Sequence, residues 1–209
     1  LPIEAVYGGP LEMWDIGQVE VLRGPQSTLQ GRNSLAGAVV ITSANPTYVP
    51  QFRARVNLAS GDERTFAIAG GGPIVADQLA FRASVEKKDS DGFVYNRTLK
   101  RDIDALDSLN VRGKLLFTPS ALPGLKATLT YSHSDRDAGY LFTYARIDTP
   151  DYYKHRVDLS GDPNRTKTKT DILTADVAYK VSDKLTLNAI ASLNTVKTRS
   201  TYDLDFTAV

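Results

Sequence analysis

The sequence predicts a mainly β protein, and three observations carry that prediction. Seven segments, near 52–60, 64–74, 79–89, 108–118, 125–134, 169–181 and 185–197, alternate apolar and polar residues. One of the two alternating rows holds no Asp, Glu, Lys or Arg through the middle of each segment, as in 66–74, 79–85, 173–181 and 185–193. The connections are short at one end of the array and mostly long at the other. Segments of roughly 9–11 residues match membrane-crossing strands, whereas soluble strands more often run about 5–6. The expected architecture is about seven antiparallel strands of an incomplete transmembrane β-barrel, preceded by a compact β element.

That compact element comes first in the chain. Residues 1–17 are mixed, with a turn at Gly8-Gly9-Pro10, and the single tryptophan, Trp14, is expected to pack on the strand that follows. Val19 to Leu22 is an apolar, β-favouring run. Arg23-Gly24-Pro25 stops it, because Pro25 cannot donate to a ladder and Gly24 permits a sharp turn. Residues 26–29 suit one helical turn, and Gly31 and Gly37 punctuate the path into a second apolar run, Ala38 to Thr42. Residues 43–50 carry two prolines and read as a linker.

The long strands follow. The charge-free row begins Phe52, Ala54, Val56, Leu58, then Phe66, Ile68, Gly70, Gly72, Ile74, then Leu79, Phe81, Ala83, Val85, and runs on to Leu187 and Leu193. The opposite row carries Arg53, Arg55, Arg82, Glu86, Arg112, Lys114, Lys126, Asp176 and Lys180. A lysine or arginine on a lipid-facing position at the midplane costs about 2–4 kcal/mol, which would produce this partition. A soluble sheet with one core face alternates equally well. The connections favour the membrane: 75–78, 119–124 and 182–184 are short, whereas 90–107 and 135–168 are long. Short periplasmic turns and longer extracellular loops are the barrel pattern. The connection at 61–63 is short on the long-loop side and lends no support.

Composition removes several function classes. The 209 residues hold 25 basic and 24 acidic side chains, a net charge of +1, which argues against a nucleic-acid binder. There is no cysteine for a disulfide or a thiolate. Mean hydropathy is −0.25, and no apolar run is long enough for a membrane helix. Catalytic signals are weak. Gly31-Arg32-Asn33-Ser34 lacks the lysine of a phosphate-binding loop, Gly70-Gly71-Gly72 lies inside a strand pattern, and His133 and His155 have no metal-ligand spacing. The chain reads as a non-enzyme without cofactor or metal. Asn96-Arg97-Thr98 and Asn164-Arg165-Thr166 match the glycosylation pattern by chance if the cell is bacterial.

Residues 19–42 also carry a motif: Val19-Glu20-Val21-Leu22-Arg23-Gly24-Pro25, then Leu29-Gln30-Gly31-Arg32-Asn33, then Ala36-Gly37-Ala38. This stretch resembles the end of the plug domain of TonB-dependent outer-membrane receptors, with Gln30 where an aromatic is commoner. The resemblance implies residues 1–45 as the C-terminal part of a plug, 46–51 as a linker and 52–209 as the first part of the barrel. It implies a fragment that begins inside the plug at Leu1, ends inside the barrel and lacks the TonB-contacting box. It further implies a bacterial outer-membrane receptor for ferric siderophores, the ferric chelate being the transported ligand, with outer-membrane lipid and the inner-membrane TonB complex as partners. Cobalamin, haem or oligosaccharide receptors are the same-class alternatives. A soluble β-sheet binding module and an open porin-like barrel are the others.

Two groups of residues are expected to carry function. Arg23, Gly24, Pro25, Gly31, Arg32 and Gly37 form the plug motif. Arg23 and Arg32 are there either to pair with lumenal carboxylates such as Glu86 or Asp176, or as solvated turn arginines. Tyr140, Phe142, Tyr144, Arg146, Tyr152 and Tyr153 fill the long 135–168 connection. They combine stacking surface and positive charge suited to an anionic chelate, although such aromatics also pack loops onto themselves.

Overall fold

The computed structural model describes residues 13–24, 37–139, 161–162 and 164–201, and the backbone alone of 156–158. Every regular element among them is a strand. Two strands, β1 (Ile16–Arg23) and β2 (Gly37–Ser43), form an antiparallel hairpin. Their apolar runs set both strands, and Gly37 closes the ladder opposite Arg23. Gly37 has φ 139°, and an added Cβ would collide with the Leu22 carbonyl oxygen, so only glycine fits there.

Seven longer strands make the main sheet: β3 (Gln51–Ala59), β4 (Glu63–Val75), β5 (Leu79–Ser90), β8 (Leu106–Phe117), β9 (Leu125–Gly139), β11 (Arg165–Ser182) and β12 (Leu185–Thr201). Each pairs antiparallel with the next, so the sheet is a meander with β3 and β12 at its edges. All seven predicted segments are strands. The last three run 15, 18 and 17 residues, longer than predicted at their long-loop ends. Hydrophobic alternation stops where the membrane would stop, but a ladder needs only backbone groups and continues.

The 90–107 connection is more ordered than a loop reading implied. It holds β6 (Val94–Asn96) and β7 (Arg101–Asp102), and β10 (Arg156–Asp158) joins β6 in parallel. The Asp104 carboxylate accepts the backbone N–H groups of Phe93 at 2.9 Å and Val94 at 2.8 Å, which fixes the start of β6. The expected turn at 8–10 and the helical turn at 26–29 lie outside the described residues.

The two faces of the sheet invert the soluble pattern. The apolar row is exposed: Phe52, Val56, Leu58, Phe66, Ile68, Leu129, Leu173, Leu187 and Leu193 all stand out from it. The buried row is mostly small or polar, with Thr65, Ala67, Ala69, Ala80, Arg82, Ser84, Glu86, Ser108 and Lys114. A soluble sheet would bury the first row and solvate the second. Outward apolar and inward polar rows are what a strand between lipid and a polar lumen requires.

Candidate functional site

The hairpin meets the polar row near the short-turn end of the sheet. Asp15, immediately before β1, stands in the left-handed conformation at φ 53°, which Asp tolerates better than most residues. Its carbonyl accepts Ala44 N–H at 2.9 Å, closing the hairpin base. Its carboxylate faces Arg82 of β5. Arg82 Nε donates to Asp15 Oδ2 at 2.7 Å, and Nη2 donates to Oδ1. Arg82 Nη1 donates to Gln51 Oε1 at 3.0 Å. Both charged side chains are almost fully buried, 3% and 2% exposed. The fork-to-fork geometry meets the condition under which a buried ion pair holds.

Five further contacts tie this end of the chain to the sheet. Trp14 Nε1 donates to the Ile68 carbonyl of β4 at 3.0 Å, and the Arg55 guanidinium of β3 lies 4.9 Å from the centre of its ring. Trp14 was expected against the following strand; its specific contacts are instead to the main sheet. Lys114 Nζ of β8 donates to the Ser43 carbonyl at 2.9 Å and to Asn45 Oδ1 at 3.0 Å. Tyr48 hydrogen-bonds Thr118 through the two hydroxyls. Hairpin and connecting segment are therefore fastened to β3, β4, β5 and β8.

Toward the long-connection end the same polar face opens into a cavity of about 520 Å³, lined among others by Arg55, Glu86, Lys88, Asn110 and Arg136. Arg55 pairs with Glu86, and Lys88 with Glu63 at 2.9 Å, so their charges cancel. Arg136 Nε is buried without a hydrogen-bond partner among the described residues. The cavity wall therefore carries surplus positive charge, which suits an anion.

The residues expected to matter are unevenly placed. Arg23 ends β1, Gly24 follows it with φ 80°, and Gly37 opens β2. Pro25, Gly31 and Arg32 lie outside the described residues, as do Tyr140, Phe142, Tyr144, Arg146, Tyr152 and Tyr153. Glu86, a candidate partner for Arg23 or Arg32, is occupied by Arg55. The buried pair joining hairpin to sheet has the opposite polarity: acid on the hairpin side, arginine on the sheet. Asp15, Asn45 and Arg82 were not singled out. The available signal was Arg82 itself, a cation at an inward position that requires an acid.

No protein-family model matches the chain. Solved structures do match. The ferric yersiniabactin uptake receptor FyuA from Yersinia pestis is similar with a TM-score of 0.78 and 22% identity, over 88% of this chain and 29% of that one. The siderophore receptor PiuA from Acinetobacter baumannii is similar at a TM-score of 0.73 and 17% identity, over 89% and 27%. The ferripyoverdine receptor of the outer membrane of Pseudomonas aeruginosa matches at a TM-score of 0.71 and 17% identity, over 85% and 23%. The chain spans less than a third of the length of these proteins. A short hairpin seated on the polar face of a long-stranded meander, with its apolar row turned outward, thus has the fold of the outer-membrane siderophore receptors.

Proposed function

We propose that this chain is part of a TonB-dependent outer-membrane receptor that takes up ferric siderophore complexes. The observation that carries the reading is the inversion of the two faces: apolar side chains out, buried polar side chains in, with a hairpin fastened to the inner face. Residues 1–45 are then the end of the plug, 46–51 the linker and 52–209 the beginning of the barrel. The gap between Ser43, where β2 ends, and Gln51, where β3 begins, supports those limits.

In this reading Arg23, Gly24, Pro25, Gly31, Arg32 and Gly37 shape the plug end, and Tyr140, Phe142, Tyr144, Arg146, Tyr152 and Tyr153 contact ligand at the extracellular mouth. The cavity beside Arg136 extends that ligand surface into the lumen, and its surplus positive charge favours an anionic chelate. TonB, energised at the inner membrane, is the partner that drives release. The chain works as a receptor and transporter, not as an enzyme, with the ferric chelate as cargo.

The test is growth of a strain deleted for the full-length gene on defined ferric chelates as sole iron source. Loss of growth on one chelate, restored by the gene and abolished again by removing TonB, is the expected result. Unchanged growth and unchanged ferric-chelate binding on every chelate class overturn the reading.

A further inference from the structure

Toward the long-connection end of the sheet the outward row turns from apolar to charged, and the charges are sorted by sign. The registers place Asp89 beside Asp107, Asp107 beside Asp137, Asp137 beside Lys167, and Lys167 beside Arg199. One row across β5, β8, β9, β11 and β12 thus reads acid, acid, acid, base, base. The next row in continues the basic half, with Lys169 beside Lys197. Like charges directly opposite one another destabilise a ladder, so this order works against the sheet that carries it.

Contacts within the sheet leave both halves partly uncompensated. Asp89 and Asp107 share the single cation Lys87, at 3.0 and 2.6 Å. Asp137 pairs with Arg165, and Asp135 with Lys169 at 2.7 Å. Lys167, Lys197 and Arg199 are exposed and make no ion pair among the described residues. The lumenal face at the same level is neutral: Thr166 meets Ser200 at 3.1 Å, and Thr168 meets Thr198 at 3.4 Å. The sorted charge is confined to the outward surface.

A two-fold axis makes this order self-complementary. Let the axis run along the membrane normal and pass between β9 and β11. The part of one copy on one side of the axis then faces the part of the second copy that comes from the other side. Acid meets base twice, once on each side of the axis. The surface below the charged rows permits close approach. Ala175 stands beside Ala191, and Val177 stands between Ala127 and Ala189. Small side chains let membrane surfaces pack tightly. The outward rings of Phe52, Phe66 and Phe81 stand away from the axis, on β3, β4 and β5.

We propose that the outward rim of β5, β8, β9, β11 and β12 is the interface of a symmetric dimer, occupied by a second copy of this chain. The proposal rests on reading the sheet as part of an outer-membrane barrel. The acidic half of each copy neutralises the basic half of the other.

The test uses the full-length receptor, delipidated in detergent, with association read by sedimentation and native mass spectrometry. Wild type is expected to dimerise, and salt at about 0.5 M to weaken the dimer. The variant Asp89→Lys, Asp107→Lys, Asp137→Lys makes the whole row positive. The variant Lys167→Glu, Lys197→Glu, Arg199→Glu makes it negative. Each alone is expected to self-associate at least about tenfold more weakly than wild type. Mixed, the two are expected to form a one-to-one heterodimer. Thr168→Glu, on the lumenal face at the same level, leaves association unchanged. Heat-modifiable gel mobility verifies assembly of each variant. A monomeric wild type overturns the interface, as does unchanged self-association of either assembled variant, or assembled variants that do not pair when mixed. Dimers that form only when lipid A is added back also overturn it, since lipid would then be the bridge. A receptor that partitions into the soluble fraction without detergent overturns the barrel reading itself, a result distinct from lost association.

Discussion

Strands β5 and β12 belong to one ladder system and have opposite burial. Along β5, Ala80, Arg82, Ser84 and Glu86 are buried while Phe81 and Ala83 are exposed. Along β12, every residue from Leu185 to Thr201 is exposed. Both strands are fully paired on the side where they have a neighbour. The ladder therefore forms without burial, and burial of polar groups appears where the hairpin and its connecting segment lie against the sheet. In β5 charge is an interior fastening; in β12 it is a surface property.

The largest expected break in that contrast is at the buried pair. Replacing Arg82 by Met leaves Asp15 buried and unpaired, and should cost about 3–5 kcal/mol of hairpin docking. The double variant Asp15→Leu with Arg82→Met is expected to recover much of that loss. Thermal unfolding of the full-length receptor, with limited proteolysis of the hairpin, reads both. Additive losses in the double variant would mean that the two groups act separately.

Next in size is the outward row. Leu129→Arg puts a charge on an exposed apolar position of β9 and should cost about 2–4 kcal/mol near the midplane, lowering outer-membrane assembly. Thr128→Arg, on the opposite face, should assemble normally. Equal assembly of the two would reverse the faces assigned here.

Two lysines sharpen the comparison further. Lys114→Met removes a charged donor from Ser43 and Asn45, and should cost about 1.5–3 kcal/mol in the same unfolding experiment. Lys180→Met on β11 breaks only an exposed pair with Asp183, worth about 0–1 kcal/mol. Similar losses at both sites would remove the distinction between covered and uncovered strands.

The smallest effect lies in the 90–107 connection, beyond the membrane band. Partial desolvation by the surrounding loop, then the charges of Asp104 and Asp91, hold the carboxyl of the exposed Asp102 above the ordinary carboxylate value. The folded loop therefore binds this proton more tightly than the unfolded chain does. Its stability rises as pH falls through the raised value and is lost as pH climbs past it. At neutral pH, Asp102→Asn is expected to slow exchange of the Ile103 amide, which donates to Val94 at 3.0 Å. The difference should vanish in acid, where wild-type Asp102 is protonated. A difference that persists there would assign the effect to packing.

Much of the fold was legible because strand geometry has a period of two and membranes penalise charge. Phe66, Ile68 and Leu129 declare their face by sequence position alone, and the short turns at 75–78, 119–124 and 182–184 fix the order of neighbours. The small sheet of β6, β7 and β10 was not legible. Its strands run three, two and three residues, too short for any periodicity to appear.

The sequence by itself determined which residues form the long strands, which row faces outward and which end carries the long connections, since these follow from local alternation and loop length. It also supplied the motif around Arg23, Gly24 and Gly37. Only the tertiary structure decided that Asp15 meets Arg82 across 67 positions, that Lys114 takes Ser43 and Asn45, and that Arg55 covers Trp14 while engaging Glu86. Alternation sends a charge to the inner face but does not choose its partner there. That choice depends on where the hairpin comes to rest, and a left-handed Asp15 at its base aims the acid at the buried Arg82 beneath it.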